Sequence, residues 1–210
     1  MLVLPDVRGL VPYYLDLTCR LAEHGFEALA IDYFGRTAPP ARDRPADFEY
    51  HPHADAATFA ELGADVRAAV DHLRATSDDP DRSLFSIGFC FGGRLAFLAA
   101  SLGLGLAGAI GLHAGLGPRN DLPAPADVAA DMDAPVLGLF GGADPSIPPE
   151  AVAAFAAALR TAGVAHRFVS YPGSPHSFFD RKWEQFADAS AAAWDEVLAF
   201  IRDPAAATAA

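Results

Sequence analysis

Short runs of consecutive apolar residues alternate along the chain with longer segments whose apolar residues recur at helical spacing. Runs that are apolar almost throughout are typical of strands buried on both faces of a parallel sheet. They are MLVLP (1–5), EALAI (27–31), SLFSI (83–87), AGAIGL (107–112), PVLGLF (135–140) and HRFVS (166–170). The helical pattern covers 11–24, 57–75, 91–102, 149–162 and 183–202. This alternation predicts an α/β fold, a mainly parallel sheet of about six strands with helices on both faces.

Two segments carry neither pattern. Residues 35–56, GRTAPPARDRPADFEYHPHADA, are rich in proline and charge, and residues 114–133 follow the fourth apolar run. The first segment is too long for an ordinary connection between a strand and a helix, which predicts a functional loop or lid. Because the sequence shows no internal repeat and no linker, we predict a single domain over 1–202. The remaining residues, 203–210, have little to pack with, and we predict a disordered tail there.

Composition and charge narrow the class of partner. The net charge is −12 at pH 7, which argues against a nucleic-acid partner because phosphate binding needs a basic face. The first ten residues, MLVLPDVRGL, resemble neither a signal peptide nor a membrane span. Two cysteines do not make a disulfide framework. We therefore expect a reduced, cytoplasmic protein without a membrane partner.

The motif GFCFGG places Cys90 at the corner between a predicted strand and a predicted helix. A sharp turn of this kind, written G-x-nucleophile-x-G, is a nucleophile elbow, and its glycines avoid clashes between the strand and the helix. The backbone N–H of Phe91 points into the same space at the start of the helix, where a thiolate or an oxyanion is stabilised. The alternative is a buried structural cysteine in a glycine-rich turn.

Two further residues complete a triad in the chain order that this elbow requires, nucleophile, acid, histidine. Asp144 follows the fifth apolar run in GGADPSIP, and His176 follows the sixth in YPGSPHSFFD. His176 would take the thiol proton or hold the thiolate as an ion pair, and Asp144 would fix the imidazole tautomer. Taken alone, Asp144 is equally a turn residue before a proline, and His176 a loop histidine. The order of all three at strand ends favours the catalytic interpretation.

The chain resembles the dienelactone hydrolase family of the α/β-hydrolase fold. The resemblance is carried by GFCFGG, GGADPSIP and YPGSPHSFF, with LPDVRGL and AIDYFGR near the start, and it extends over about 1–202. It implies that Asp6 is the family's acidic residue beside the cysteine, one methylene shorter than the usual Glu. It also implies that the N–H of Val7 is a second oxyanion donor beside that of Phe91. The family's extra strands before residue 1 are absent from this sequence.

The resemblance also implies a substrate pocket, with one departure from the family pattern. Family members hold a substrate carboxylate with arginines, and one of them follows the catalytic histidine by four residues. Here that position is Asp180, which would repel a carboxylate if it faced the pocket, so we expect a preference for neutral or weakly anionic substrates. The predicted substrate-binding residues are Arg8, Tyr33, Phe34, His113, Phe178 and Arg181.

The sequence predicts neither a metal nor another cofactor. The motif HPH at 51–53 offers two imidazoles, but no further ligands stand at suitable spacing, and solvated loop histidines are the simpler interpretation.

The predicted function is a cysteine-dependent hydrolase of small esters or lactones, with a small-molecule substrate as the partner. Two alternatives stay open: a thioesterase or amidotransferase-like cysteine enzyme, and an α/β-hydrolase scaffold kept as a non-catalytic binder of small molecules.

The strand order that we predict is 27–31, 1–5, 83–87, 107–112, 135–140, 166–170. In that order the strand at 27–31 is an uncovered edge, which invites pairing with another strand. We therefore expect either a homodimer through this edge or a natural chain that begins upstream.

Overall fold

Six parallel strands form the sheet of the part of the chain that the computed structural model describes, residues 1–79 and 82–206. The strands are β1 (Leu2–Leu4), β2 (Leu29–Ala30), β3 (Phe85–Phe89), β4 (Gly108–Leu112), β5 (Val136–Gly141) and β6 (His166–Tyr171). Their order across the sheet is β2-β1-β3-β4-β5-β6, and every neighbouring pair is parallel. This confirms the predicted parallel α/β sheet and its strand order.

Helices cover both faces of the sheet, as predicted. They are α1 (Pro12–Glu23), α2 (His51–Ala56), α3 (Phe59–Thr76), α4 (Phe91–Ala99), α5 (Pro149–Ala162) and α6 (Ala187–Arg202). Buried residues of α1 and α6 share one hydrophobic core with the sheet, and those of α2 to α5 share the other. Short 3-10 helices lie at Ala41–Asp43, Pro125–Asp131 and Pro204–Ala206.

The central strands present large side chains to one face and small ones to the other. Phe85, Ile87 and Phe89 of β3 pack on the side of α1 and α6, whereas Ser86 and Gly88 face α4. β4 also has a small residue on the side of α4. A Cβ on Gly111 would lie 2.3 Å from the ring of Phe97 in α4. Small residues on this face therefore let α4 approach the sheet closely, which brings the start of α4 onto the ends of the strands.

Local signals fix several helix ends. The side chain of Thr58 accepts the N–H of Glu61, and the Glu61 carboxylate accepts the N–H of Thr58, which makes a capping box at the start of α3. At its other end, α5 stops at Gly163, whose φ of 72° is the left-handed conformation that glycine adopts without strain.

The structure differs from the sequence predictions at several element boundaries. β3 begins and ends two residues later than the predicted run at 83–87, so it leads directly into Cys90. The segment 35–56 was predicted to be irregular, but it ends in α2. α4 ends at residue 99 and α6 begins at residue 187, which makes both shorter than predicted.

One stripe of α6 faces the sheet. Its most buried residues are Ser190, Ala193, Val197 and Phe200, because the helix turns this stripe toward the sheet. The predicted tail, 203–210, lies partly outside the described residues, and its described part includes the last 3-10 helix. Among the helices of the described ranges, none combines the length and the apolar character needed to cross a membrane.

Candidate active site

Cys90 occupies a strained corner between β3 and α4. It is the N-cap residue of α4 and has a φ of 54°, a left-handed conformation that non-glycine residues rarely adopt. Its backbone N–H donates to the carbonyl of Leu112 at 3.0 Å, which ties the corner to the end of β4. The side chain of Cys90 is partly exposed. Strain of this kind persists only where the surrounding structure enforces it, and it is common at functional sites.

Three glycines enforce the corner, and each is needed for a different close approach. A Cβ on Gly88 would lie 1.9 Å from the carbonyl oxygen of Gly92, inside the first turn of α4. A Cβ on Gly92 would lie 2.1 Å from the carbonyl oxygen of Leu4, at the end of β1. A Cβ on Gly93 would lie 2.9 Å from the Cβ of Ala114 beyond β4. The start of α4 therefore sits directly on the ends of three strands, where only glycine fits.

Asp144 and His176 follow the ends of β5 and β6 and are in direct contact. The Oδ2 atom of Asp144 lies 2.6 Å from Nδ1 of His176. The loop before His176 is held against β5, because the N–H of Ala143 donates to the carbonyl of Ser174 at 2.9 Å. A Cβ on Gly141 would lie 2.5 Å from that same carbonyl oxygen. The two loops thus pack without a gap, and their packing fixes the distance between carboxylate and imidazole.

Ser146 supports the carboxylate and was not singled out from the sequence. Its backbone N–H and its hydroxyl both donate to Oδ1 of Asp144, at 2.9 and 2.6 Å. These bonds leave Oδ2 for His176. Burial alone would raise the pKa of the Asp144 carboxyl, but the hydrogen bonds from His176 and Ser146 outweigh it and lower that pKa. The motif D-P-S carries a signal for this arrangement, since Asp often accepts a hydrogen bond from the backbone two residues on.

His176 is held in its charged form. Burial alone would lower the pKa of its imidazole, but hydrogen bonds with Asp144 and Cys90, together with the charges of these two groups, raise it from 6.5 to about 10. His176 thus contacts Asp144 at 2.6 Å, and Cys90 is near enough to raise its pKa. An imidazolium between a carboxylate and a sulfur atom is suited to hold a thiolate and then to donate a proton.

The two predicted oxyanion donors lie on either side of the corner. Phe91 is the first residue of α4, so its N–H has no acceptor within the helix. Val7 lies in the turn after β1 and is partly buried. The ends of β1 and β3 are neighbours in the sheet, with Leu4 paired to Gly88, which places both backbone segments beside Cys90.

Asp6 is buried beside this turn, but its partner is Arg8. Its carboxylate accepts the backbone N–H of Arg8 at 2.9 Å and the Nε–H at 2.9 Å, and Nη2 of Arg8 lies 2.7 Å from Oδ2. Within the part of the chain that the structure describes, Asp6 makes no hydrogen bond to the Cys90 thiol, the contact that the family resemblance implies. The pairing also occupies the Arg8 guanidinium, which was predicted to contact substrate.

The aromatic residues predicted for the pocket are mostly buried. Tyr33 donates its hydroxyl to the carbonyl of Pro5 at 3.0 Å, and its ring centroid lies 5.6 Å from that of Phe91. Phe34 is fully buried beneath the segment 35–56, where its ring lies 5.7 Å from that of His53. These side chains therefore support the backbone around the elbow.

His113 and Asp180 form a second buried pair behind His176. The ring centroid of His113 lies 4.9 Å from that of His176, and its Nε2 atom lies 3.8 Å from Oδ2 of Asp180. Phe178 is also fully buried, with its ring 6.3 Å from that of His113. Burial alone would raise the pKa of the Asp180 carboxyl, but His113 and the backbone N–H of Arg181 lower it to about 2. Asp180 is thus a buried carboxylate and does not face an open pocket.

Arg181 and the HPH motif lie outside this chain of contacts. Arg181 donates from Nε and Nη2 to the hydroxyl of Ser177, at 3.2 and 2.9 Å. His51 begins α2, and His53 stacks on Phe48 with ring centroids 5.1 Å apart. No group of three or more His, Cys, Asp or Glu side chains suited to a metal ion occurs among the residues that the structure describes.

Comparisons with known proteins point to one family. The model of the dienelactone hydrolase family matches residues 1–204. A relative from Methylorubrum extorquens, named "Putative carboxymethylenebutenolidase", is 33% identical over 185 residues. That match covers 85% of this chain and 62% of the relative, so the chain spans less than two thirds of the relative's length.

Solved structures show the same fold. A structure from Klebsiella pneumoniae, described as a "Putative Dienelactone Hydrolase", superposes with a TM-score of 0.81 at 29% identity. The match covers 96% of this chain and 85% of that one. An α/β-hydrolase enzyme from a deep-sea metagenome library superposes with a TM-score of 0.72 at 15% identity, covering 96% of this chain and 82% of that one. The second likeness concerns the fold alone, which is the predicted α/β-hydrolase fold.

Proposed function

Because the chain belongs to the dienelactone hydrolase family, we propose that it is a cysteine-dependent hydrolase of small esters or lactones. The observation that carries the proposal is the 2.6 Å contact between His176 and Asp144, with Cys90 near enough to raise the pKa of His176. It stands on a strained elbow at the carboxyl ends of parallel strands, which is where an α/β-hydrolase presents its nucleophile.

The reaction begins with acylation of Cys90. The thiolate sulfur adds to the ester carbonyl carbon, and the carbonyl oxygen becomes an oxyanion beside the N–H groups of Phe91 and Val7. The tetrahedral intermediate then collapses, the C–O bond of the ester breaks, and His176 donates its proton to the leaving alkoxide. An ester releases an alcohol, whereas a lactone keeps its hydroxyl tethered to the acyl group.

Hydrolysis of the thioester completes the cycle. His176 is now neutral at Nε2 and accepts a proton from a water molecule as that water adds to the acyl carbon. The C–S bond breaks, the carboxylic acid product leaves, and the proton remains on His176 to pair with the thiolate. Asp144 keeps Nδ1 of the imidazole protonated through both steps, which leaves Nε2 free to exchange the proton.

The test is a panel of small esters and lactones assayed with the parent protein and two cysteine variants. Cys90→Ala should lower kcat/KM by about 10³-fold or more, since it removes the nucleophile. Cys19→Ala is the matched control, because Cys19 is exposed on α1, and it should keep the parent's activity.

Detection of an acyl-enzyme adduct separates this proposal from a non-catalytic binder of small molecules. Mass spectrometry after brief incubation with a slow ester should detect an acyl adduct on Cys90. If the Cys90→Ala variant hydrolyses a substrate as fast as the parent protein does, the proposed mechanism is excluded. A protein that binds these compounds without turning any of them over would exclude the hydrolase function itself.

A further inference from the structure

His113 joins the corner that holds Cys90 to the ring of His176. The peptide unit between Leu112 and His113 makes two hydrogen bonds at the end of β4. Its carbonyl accepts the N–H of Cys90 at 3.0 Å, and its N–H donates to the carbonyl of Leu139 at 2.8 Å. The ring centroid of His113 lies 4.9 Å from that of His176, with the planes of the two rings at 68°. One residue therefore links the backbone beside the proposed nucleophile to the imidazole.

His113 is fully buried in a strained backbone conformation. Its φ of 38° lies in the left-handed region, and its side chain has no exposed surface. The rings of Phe89 and Phe178 lie 6.1 and 6.3 Å from that of His113 and enclose it together with His176. Neither ring nitrogen of His113 has a hydrogen bond among the residues that the structure describes. A polar residue that is both strained and buried is costly to the fold, which points to a role in function.

The carboxylate of Asp180 lies at the edge of the His113 ring. Its Oδ2 atom is 3.8 Å from Nε2 of His113, an ion-pair distance that is too long for a hydrogen bond. The Tyr14 hydroxyl donates to the same oxygen at 3.5 Å, and the N–H of Arg181 donates to Oδ1 at 2.7 Å. The pKa of Asp180, about 2, keeps this carboxylate charged. A buried negative charge therefore lies beside His113, whose ring in turn lies beside His176.

The segment from His176 to Asp180 wraps around His113. Its first residue contacts the His113 ring, and its last residue places a carboxylate at the edge of that ring. Between them, Ser177 has a left-handed φ of 61°, and its carbonyl accepts the N–H of Lys182 at 3.1 Å. The chain therefore turns sharply after His176 and returns to His113. Removing the His113 ring would take away the support on that side of the imidazole.

We propose that His113 is a positioning residue, which holds the imidazole of His176 toward Cys90 and, together with the Asp180 carboxylate, stabilises the charge of that imidazole. Two rings near a right angle place the edge of one against the face of the other, and a neutral aromatic ring attracts a cation in this arrangement. The inference rests on the proposed hydrolase function. The role differs from the substrate contact that the family resemblance implies for His113, since its ring is fully buried.

The first test measures kcat and KM of the parent protein and of His113→Asn. Asparagine tolerates the left-handed backbone at this position and removes the ring. We expect kcat to fall about 10-fold while KM stays within about two-fold, because a misplaced imidazole weakens the transition state and not the binding of substrate. His72→Asn is the matched control, since His72 is exposed on α3, and it should keep the kcat of the parent. A residue that only stabilised the fold would lower the free energy of unfolding and leave the kcat of the folded protein unchanged.

Two further measurements need no turnover of substrate. Alkylation by iodoacetamide consumes the thiolate that pairs with the His176 imidazolium, and Cys19→Ala in every protein leaves Cys90 as the reacting thiol. His113→Asn should slow this alkylation about 10-fold, because the imidazolium no longer holds the thiolate in place. In Asp180→Asn, NMR titration should show the pKa of His176 lowered by about half a unit or more, since a buried negative charge near the imidazole is lost.

The outcomes separate the positioning role from the hydrolase function. An unchanged alkylation rate in folded His113→Asn would overturn the positioning role. So would an unchanged pKa of His176 in Asp180→Asn, which decides the question even if His113→Asn does not fold. Absence of turnover in the parent, with alkylation still slowed in His113→Asn, would overturn the hydrolase function and support the positioning of the imidazole by His113.

Discussion

Replacing Asp144 by Asn tests whether the Asp144 carboxylate keeps Nδ1 of His176 protonated. The substitution keeps the shape of the side chain, and the amide oxygen can still accept the two hydrogen bonds from Ser146 at Oδ1. The amide nitrogen then faces Nδ1 of His176, where Oδ2 stood at 2.6 Å. Because that nitrogen is a donor, Nδ1 of the imidazole must lose its proton and become the acceptor, and the remaining proton stays on Nε2. The neutral imidazole then neither pairs with a thiolate nor has a free Nε2 to accept the proton of the Cys90 thiol.

The size of the expected loss in kcat follows from the charge state of His176. Its pKa is raised from 6.5 to about 10 by Asp144 and Cys90 acting against burial. Since one pKa unit corresponds to ~1.4 kcal/mol, the site favours the imidazolium by roughly 5 kcal/mol, shared between the two partners. In the Asn variant, burial still lowers the pKa of His176, and the contribution of the Asp144 carboxylate that raises this pKa is lost. We therefore expect the pKa of His176 to fall by several units, and kcat to fall by about 10³- to 10⁴-fold because the wrong tautomer predominates.

The assay is the dependence of kcat/KM on pH, which reports the titration of groups in the free enzyme. Below its pKa, His176 carries the proton that the leaving group needs, and above it that proton is lost. The parent's activity should therefore decline on the alkaline side near pH 10, and the decline should move to lower pH in Asp144→Asn. Titration of the His176 ring by NMR in both proteins would give the same displacement directly.

Asp195→Asn is the matched control, since Asp195 is exposed on α6 and should leave both the rate and the alkaline limb unchanged. An Asp144→Asn protein with activity within a few-fold of the parent would refute the reasoning. So would an alkaline limb that stays near pH 10 in that variant, because the charge of His176 would then not depend on the carboxylate.

Two further predictions concern the elbow and the sheet edge. Gly92→Ala should lower the free energy of unfolding by about 1–3 kcal/mol in denaturant titrations, because its Cβ would lie 2.1 Å from the Leu4 carbonyl oxygen. Gly117→Ala, whose Cβ would meet nothing within 4 Å, is the control, and equal stability of the two variants would contradict the packing argument. At the edge, light scattering should show a homodimer formed through β2 that Ala30→Pro dissociates; a monomeric parent would count against that expectation.

Most of the fold follows from the chain's hydrophobic pattern. Strands of a parallel sheet are buried on both faces, so their short apolar runs indicate where they lie, and the turn chemistry of GFCFGG locates the elbow. The predicted β3 was two residues too early, because the apolar run SLFSI ends at residue 87. In the structure Gly88 pairs with Gly111 of β4, so cross-strand pairing extends β3 beyond the apolar run.

The parts that were not predicted depend on contacts between distant segments. α2 is only six residues long and starts in a segment rich in proline and charge, so its own sequence gives little indication of a helix. It is anchored by Ala54, which is buried in the core, and by Arg119, whose guanidinium binds Asp55.

Backbone packing holds the reacting groups of the site in place, and the carboxylates near the site have partners of their own. The glycines at 88, 92 and 93 and the interlocked loops before Asp144 and His176 fix the reacting groups by backbone packing, which leaves little freedom for the triad to rearrange. Such preorganisation favours charge development at fixed positions, which is the main source of rate acceleration in reactions of this type. Asp6, by contrast, is paired with the Arg8 guanidinium, and Asp180 lies 3.8 Å from Nε2 of His113. Beside the elbow, the raised pKa of His176 leaves an imidazolium that can pair with the thiolate proposed for Cys90.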